Sequence, residues 1–94
     1  MAEFLVELYV PRGVADGFEL EAERARAAAE QLTLEGTRVR CVRSILVPDD
    51  ETCLLLYEAD SIDAVREASA RSGLAFERIS AAVACTNTEG EGCS

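Results

Sequence analysis

Residues 52–59 read Thr-Cys-Leu-Leu-Leu-Tyr-Glu-Ala and predict a β-strand that is apolar on both faces. A strand with one face in water normally alternates apolar and polar side chains. Here Cys53 and Leu55 point to one side, while Leu54 and Leu56 point to the other. Something must therefore cover a second apolar face in a chain of 94 residues.

Three further segments have the pattern of strands. Apolar residues alternate at 3–10, at 37–47 and at about 76–85. The segment 48–51, Pro-Asp-Asp-Glu, has the composition of a turn, so 37–47 and 52–59 are predicted to form a hairpin.

Two helices are predicted between these strands. Asp16 and Ser61 are the expected N-caps, and Gly36 and Gly73 are the expected ends, with the first helix running to about Leu34. The buried stripe of the first helix is rich in alanine, which allows the helix to lie close to a sheet.

The resulting order, βαββαβ, is that of an α+β, ferredoxin-like fold. Two right-handed crossovers place both helices on one face of a four-stranded antiparallel sheet. The other face is predicted to carry six large side chains: Leu5, Tyr9, Val42, Leu46, Leu54 and Leu56. Burying each is worth roughly 1.5–3 kcal/mol, so we expect a second copy to cover this face and form a homodimer.

Composition excludes several classes of partner. The net charge is −9, and all nine cationic side chains are arginines. Such a chain repels nucleic-acid phosphates and anionic lipid headgroups, so neither nucleic acid nor membrane is an expected partner. With no long apolar run and no basic leader pattern, the expected location is the cytoplasm. Residues 1–86 are expected to form one domain and 87–94 a flexible acidic tail.

The chain contains no histidine, which restricts its chemistry. An acid or base must be a carboxylate, a tyrosine or a cysteine. The four cysteines form no Cys-x-x-Cys pair, and those in strands are expected to act as small apolar side chains. With Val47 paired to Thr52 in the hairpin, Cys41 is predicted to lie opposite Glu58.

Three stretches together resemble one bacterial family. They are FLVELYVPRG (4–13), RCVRSILVPDDETCLLLYEADS (40–61) and VREASARSGLAFERISAAV (65–83), and the resemblance extends over about residues 2–84. The family that the chain resembles consists of small ferredoxin-like proteins and is catalogued as a domain of unknown function, DUF4242; one member is described as nickel-binding. The resemblance implies a dimeric α+β barrel.

Five residues in the family-like segments are candidate ligand-binding residues: Glu7, Tyr9, Arg43, Ser44 and Glu58. If Arg43 reaches the same face as Glu7 and Tyr9, a Glu7–Arg43 pair would line the barrel interior. Such a site could bind a small ligand, or transfer a proton with Glu7 as base and Tyr9 as donor. The alternative is a structural ion pair beside an interface tyrosine.

The resemblance also implies a metal, nickel in particular. Family members have Arg-Glu-His-Ala in the second helix, whereas this chain has Ala68 at the histidine position. Nickel therefore loses its best nitrogen ligand. The remaining candidates are Asp49, Asp50 and Glu51, three carboxylates in one turn that could hold a hard cation weakly or could simply be solvated.

Three functions remain open from the sequence. The first is a small dimeric binding protein that holds a metal ion or a small ligand. The second is a dimeric α+β barrel enzyme, for example an isomerase, a cyclase or a cofactor-free oxygenase, that uses the cavity between the two sheets. The third is an interaction module without a small-molecule site.

Overall fold

Four strands and two helices make up the fold in a computed structural model, which describes residues 2–11, 18–74 and 76–83. Their order confirms the predicted β-α-β-β-α-β arrangement. The elements are β1 (Ala2–Tyr9), α1 (Phe18–Leu34), β2 (Val39–Val47), β3 (Thr52–Ala59), α2 (Ile62–Ser72) and β4 (Phe76–Ala82). The predicted N-cap Asp16, the residue Cys85 and the predicted tail 87–94 lie outside the described residues.

The sheet has the strand order β2-β3-β1-β4, with every neighbouring pair antiparallel. This is the ferredoxin-like topology, and both helices pack on the same face of the sheet. No helix in the described part of the chain is long and apolar enough to cross a membrane.

Helix α1 presents small side chains to the sheet. Its buried residues are Ala22, Ala25, Ala28, Ala29 and Leu32. The helix ends in a Schellman motif, in which the Thr37 N–H donates to the Leu32 carbonyl at 2.9 Å and the Gly36 N–H donates to the Thr33 carbonyl at 3.1 Å. Gly36 has a φ of 106°, a conformation that glycine adopts without strain.

Helix α2 begins and ends at the predicted residues. The Ser61 hydroxyl accepts a hydrogen bond from the Ala64 N–H at 3.3 Å, and Gly73 ends the helix with a φ of 75°. The buried face of α2 includes Val65, Ala68 and Ser72.

The core lies between the helices and one face of the sheet. From β3, Cys53, Leu55, Tyr57 and Ala59 point into it, and each is at most 1% exposed. The Tyr57 hydroxyl and Ser69 Oγ are also buried there, and neither makes a hydrogen bond within the described residues. Burial raises the pKa of the Tyr57 hydroxyl, so this group stays neutral.

A bidentate ion pair joins the two helical segments. Arg71 of α2 donates to both carboxylate oxygens of Glu35, the residue after α1, at 2.7 and 2.8 Å. Arg71 also donates to Glu67 at 3.1 Å. The hydrogen bonds from Arg71 hold the pKa of the Glu35 carboxyl below its usual value.

Candidate functional site

The candidate site lies on the sheet face that the helices do not cover, here called the open face. Its centre is apolar, with Leu5, Leu54 and Leu56 partly exposed on adjacent strands and Ile45 45% exposed at the β2 edge. Tyr9 lies toward one end of this face and is 56% exposed. The apolar patch is therefore continuous across β2, β3 and β1. This agrees with the prediction that the strand at 52–59 is apolar on both of its faces.

A β-bulge at Val42 decides which residues of β2 reach the open face. Cys41 pairs with Tyr57, and the next paired residue is Arg43, which lies opposite Leu56. Because Val42 is an extra, unpaired residue, the even-numbered Arg40 faces outward on one side of the bulge, and the odd-numbered Arg43 and Ile45 face outward on the other. The unbroken register from Val47–Thr52 to Arg43–Leu56 puts Arg43 on the open face, which it shares with Glu7 and Tyr9.

The pairing of β2 with β3 corrects three expectations from the sequence. Ser44 lies opposite the buried Leu55, so it belongs to the helix-covered face and not to the candidate site. Leu46 packs against the core instead of the open face. Cys41 lies opposite Tyr57, and it is Arg40 that lies opposite Glu58. The predicted Val47–Thr52 pair is present, and counting from it already places Ser44 and Leu46 on the helix-covered face. Only the error in the partner of Cys41 is due to the bulge.

Two ion pairs flank the apolar centre. Arg78 Nε of β4 lies 3.5 Å from Glu7 Oε1, and Arg40 Nη2 lies 3.5 Å from Glu58 Oε1. Glu7 thus pairs with Arg78 and not with Arg43, because β3 separates β2 from β1 in the sheet. Arg78 was not among the predicted site residues. The alternation of apolar residues in β4 places Arg78 on the open face, but the sequence does not show which residue of β1 lies beside it.

Arg43 is the cation of the open face that lacks a counter-ion. It makes no ion pair within the described residues, and its neighbours across the sheet are Leu56 and then Leu5. A guanidinium among leucine side chains is strongly desolvated if another surface covers it, and it then needs an acceptor anion. The Arg43 side chain is therefore the most specific polar feature of the open face.

The side chains of the acidic turn at 49–51 do not converge on a common point. Asp49 and Asp50 belong to a one-turn 3-10 helix (Pro48–Asp50), and Glu51 follows in the left-handed conformation with φ 50°. Successive residues of a 3-10 helix point about 120° apart, so the three side chains diverge. Among the described residues no group of three or more Asp, Glu, Cys or His side chains is placed to hold a metal ion. The arrangement gives the predicted metal site in this turn no support.

The described residues also do not fit a nickel site of the usual ligand type. Imidazole is absent from the chain, and the thiols of Cys41 and Cys53 are buried on the helix-covered face. Burial and the nearby Glu21 carboxylate raise the pKa of the Cys53 thiol to about 12, and burial raises the pKa of the Cys41 thiol as well. Metal binding needs the thiolate, so these cysteines remain apolar core residues. Ala68 is fully buried in the core.

A comparison with protein families identifies the chain. Residues 4–81 match the family model described as "Nickel responsive protein SCO4226-like". The chain belongs to this family. The match confirms the predicted relation to a nickel-associated family of small α+β proteins, and it includes both helices and all or most of each strand.

A solved structure confirms the fold independently. The crystal structure of SCO4226 from Streptomyces coelicolor A3(2) superimposes with a TM-score of 0.70 at 21% sequence identity, and the match covers 90% of this chain and all of the other. Among curated proteins, no significant match was found.

Proposed function

We propose that this chain is a homodimeric binding protein, in which the open faces of two copies enclose a cavity for a small ligand. The observation that carries the proposal is the open face itself, an apolar centre flanked by ion pairs. Covering its large side chains stabilises a dimer by roughly 1.5–3 kcal/mol for each one buried. The cytoplasm is the expected location, and the dimeric α+β barrel is the expected assembly.

The residues proposed to contact the ligand are Arg43, Glu7, Tyr9 and Glu58. Arg43 has no anionic partner of its own on the open face, so it is the expected anchor for an acidic or polar group. The Tyr9 ring is exposed and can pack against the apolar part of a ligand. Glu7 and Glu58 are engaged with arginines and orient the rim of the cavity.

The family's description raises the question of nickel in this chain. The donors on the open face are carboxylates and a phenol, whereas nickel favours imidazole and thiolate ligands among protein side chains. An organic ligand suits these donors better than a bare nickel ion. If this member does respond to nickel, the ion would then bind through ligands other than histidine or at a site other than the open face.

The dimer is tested first, by light scattering during size-exclusion chromatography of the reduced full chain. Leu56→Asp places a charge at the centre of the open face, next to Arg43, and is expected to give a folded monomer with an unchanged circular dichroism spectrum. The control is Leu20→Asp, at a position 58% exposed on α1, which should stay dimeric. A wild-type monomer at every concentration tested would refute the proposed assembly.

The ligand is tested by native mass spectrometry of the reduced protein, with and without added Ni²⁺. We expect a dimer that carries an organic adduct and does not retain nickel. The adduct should be lost in Arg43→Gln and kept in Arg66→Gln, an exposed arginine of α2. Stoichiometric nickel on the wild-type dimer would instead support a metal site and contradict the preference for an organic ligand.

A further inference from the structure

A groove of about 720 Å³ lies on the other side of the molecule, between α1 and the first half of β2. Its floor is formed by the buried residues Ala29, Val39 and Cys41, and one wall is formed by Ala27 and Leu34 of α1. A volume in this range, with a mostly apolar lining and a few polar groups, is typical of small-molecule sites. The α1 wall of the groove belongs to the helix layer, which is not on the open face.

The rim of the groove is positively charged in a strongly acidic chain. It carries Arg26, Arg38 and Arg40, against the carboxylates of Glu23 and Glu30, although the whole chain has a net charge of −9. Within the described residues Arg26 and Arg38 make no ion pair, and Arg40 pairs with Glu58 across β3. The rim therefore offers two guanidinium groups that are free to bind an anion.

The end of the groove is held in place by one side chain. Thr33 Oγ1 of α1 donates to the Val39 carbonyl at 2.8 Å and accepts from the Val39 N–H at 3.3 Å. These bonds occupy the polar groups of Val39 at the outer edge of β2, which is an edge strand. The groove is thus bounded by a fixed junction between α1 and β2.

We propose that this groove is a second ligand site, which binds an amphipathic organic anion. The anionic head binds Arg26 and Arg38 at the rim, and the hydrocarbon body lies along Ala27 and Leu34 toward Cys41. The ligand must be anionic because Arg26 and Arg38 have no ion-pair partner within the described residues. Its body must be narrow and apolar to fit along the wall formed by Ala27 and Leu34. Arg40 borders both this site and the open face, so the tests use Arg26 and Arg38 for the groove and Arg43, which does not line the groove, for the open face.

The probe is decanoate below its micelle concentration, titrated into the full chain and followed by ¹H–¹⁵N chemical shifts. Shifts are expected at the amides of Val39 and Cys41. Decanol should bind more weakly. Decyltrimethylammonium should not produce these shifts, even though the net charge of the chain attracts it. Equal binding of all three would overturn the proposal, because the arginines would then have no role.

Arginine substitutions test whether decanoate binds in the groove or elsewhere on the molecule. Loss of a charge-assisted hydrogen bond in Arg38→Gln or Arg26→Gln is expected to weaken decanoate binding about tenfold or more. Arg24→Gln is the matched control, since Arg24 lies on α1 but does not line this groove. An unchanged affinity in both groove variants would overturn the proposal.

A steric pair gives an independent test. Ala27 is exposed on α1, so Ala27→Leu fills the groove without disturbing the core, and it should abolish the shifts of Val39 and Cys41. Ala70→Leu, at an exposed position of α2 outside the groove, should bind decanoate normally. If Arg43→Gln abolishes binding while Ala27→Leu does not, decanoate binds the open face, which overturns the groove site and supports the proposed function.

Discussion

Strand β3 carries leucines on both of its faces, but the two faces are covered in different ways. On β3, Leu55 points to the helices and is 1% exposed, whereas Leu54 and Leu56 point the other way and stay partly exposed. One face is covered by α1 and α2 of the same chain, and the other has no cover within the described residues. The comparison shows that hydrophobicity in a strand predicts that a cover is needed, but not which molecule provides it.

The strongest test of this comparison truncates a leucine on each face. Leu55→Ala should destabilise the chain by about 2–5 kcal/mol, because it leaves a cavity in a closed core. Leu54→Ala should cost about 1 kcal/mol at high dilution, where its side chain is already partly in water. Urea unfolding of both variants gives the two values. Equal losses at high dilution would mean that the two faces are buried alike within one chain.

A smaller effect is expected at the junction between the helix layer and the sheet. Thr33→Val removes both hydrogen bonds to Val39 while keeping the side-chain shape, and it should cost about 1 kcal/mol. Thr37→Val, at an exposed position, is the control. Urea unfolding, together with faster hydrogen exchange at the Val39 amide, checks the result. Unchanged exchange at Val39 would show that this junction does not hold β2.

Most of the helix-covered face could be predicted from the sequence, because its determinants are local. The alanine stripe of α1, the Ser61 cap and the glycines at 36 and 73 act within a few residues of themselves, and the structure contains them all. The open face depends instead on register across strands. The bulge at Val42 has no local mark such as a glycine, so the partner of Cys41 was predicted wrongly. Leu46 was placed on the wrong face although the predicted Val47–Thr52 pair puts it opposite the buried Cys53.

The candidate site was predicted only in part for the same reason. Glu7 and Tyr9 could be placed on one face because β1 alternates regularly and pairs with β3 without a shift in register. The pairing of β1 with β4, in contrast, shifts between Glu7 and Leu8. The ion-pair partner of Glu7 could not be predicted, since it depends on how β4 aligns with β1 near that shift. The groove between α1 and β2 was missed because arginines at 26 and 38 are far apart in sequence and look like ordinary solvated charges.

The pH dependence of stability should report the ion pair that joins the two helical segments. The folded pKa of Glu35 is depressed below its usual value of 4.5, so its contribution is complete above the unfolded pKa and is lost as the pH falls through the folded pKa. Glu35→Gln should flatten the acid limb of a plot of unfolding free energy against pH. Glu30→Gln, also an exposed position, should keep the limb. A wild-type-like limb in Glu35→Gln would contradict the assignment.

The smallest effect is expected inside the core. Tyr57→Phe removes a buried hydroxyl that has no hydrogen-bond partner within the described residues, so stability should stay the same or rise slightly. Thermal unfolding of the variant beside the wild type measures this. A clear loss of stability would show that the hydroxyl has a partner, such as a buried water that also reaches Ser69.

The bulge at Val42 also determines how substitutions in β2 should be interpreted when sequences are compared. Before it, the even-numbered position Arg40 faces outward and tolerates charge; after it, the odd-numbered positions Arg43 and Ile45 do. One residue thus divides a nine-residue strand into two halves with opposite parity. A relative that keeps this residue but pairs it regularly, without the bulge, would carry the arginine at position 40 toward the helices, opposite Ala59. The presence of the bulge is therefore a simple criterion for deciding which relatives share the same open face.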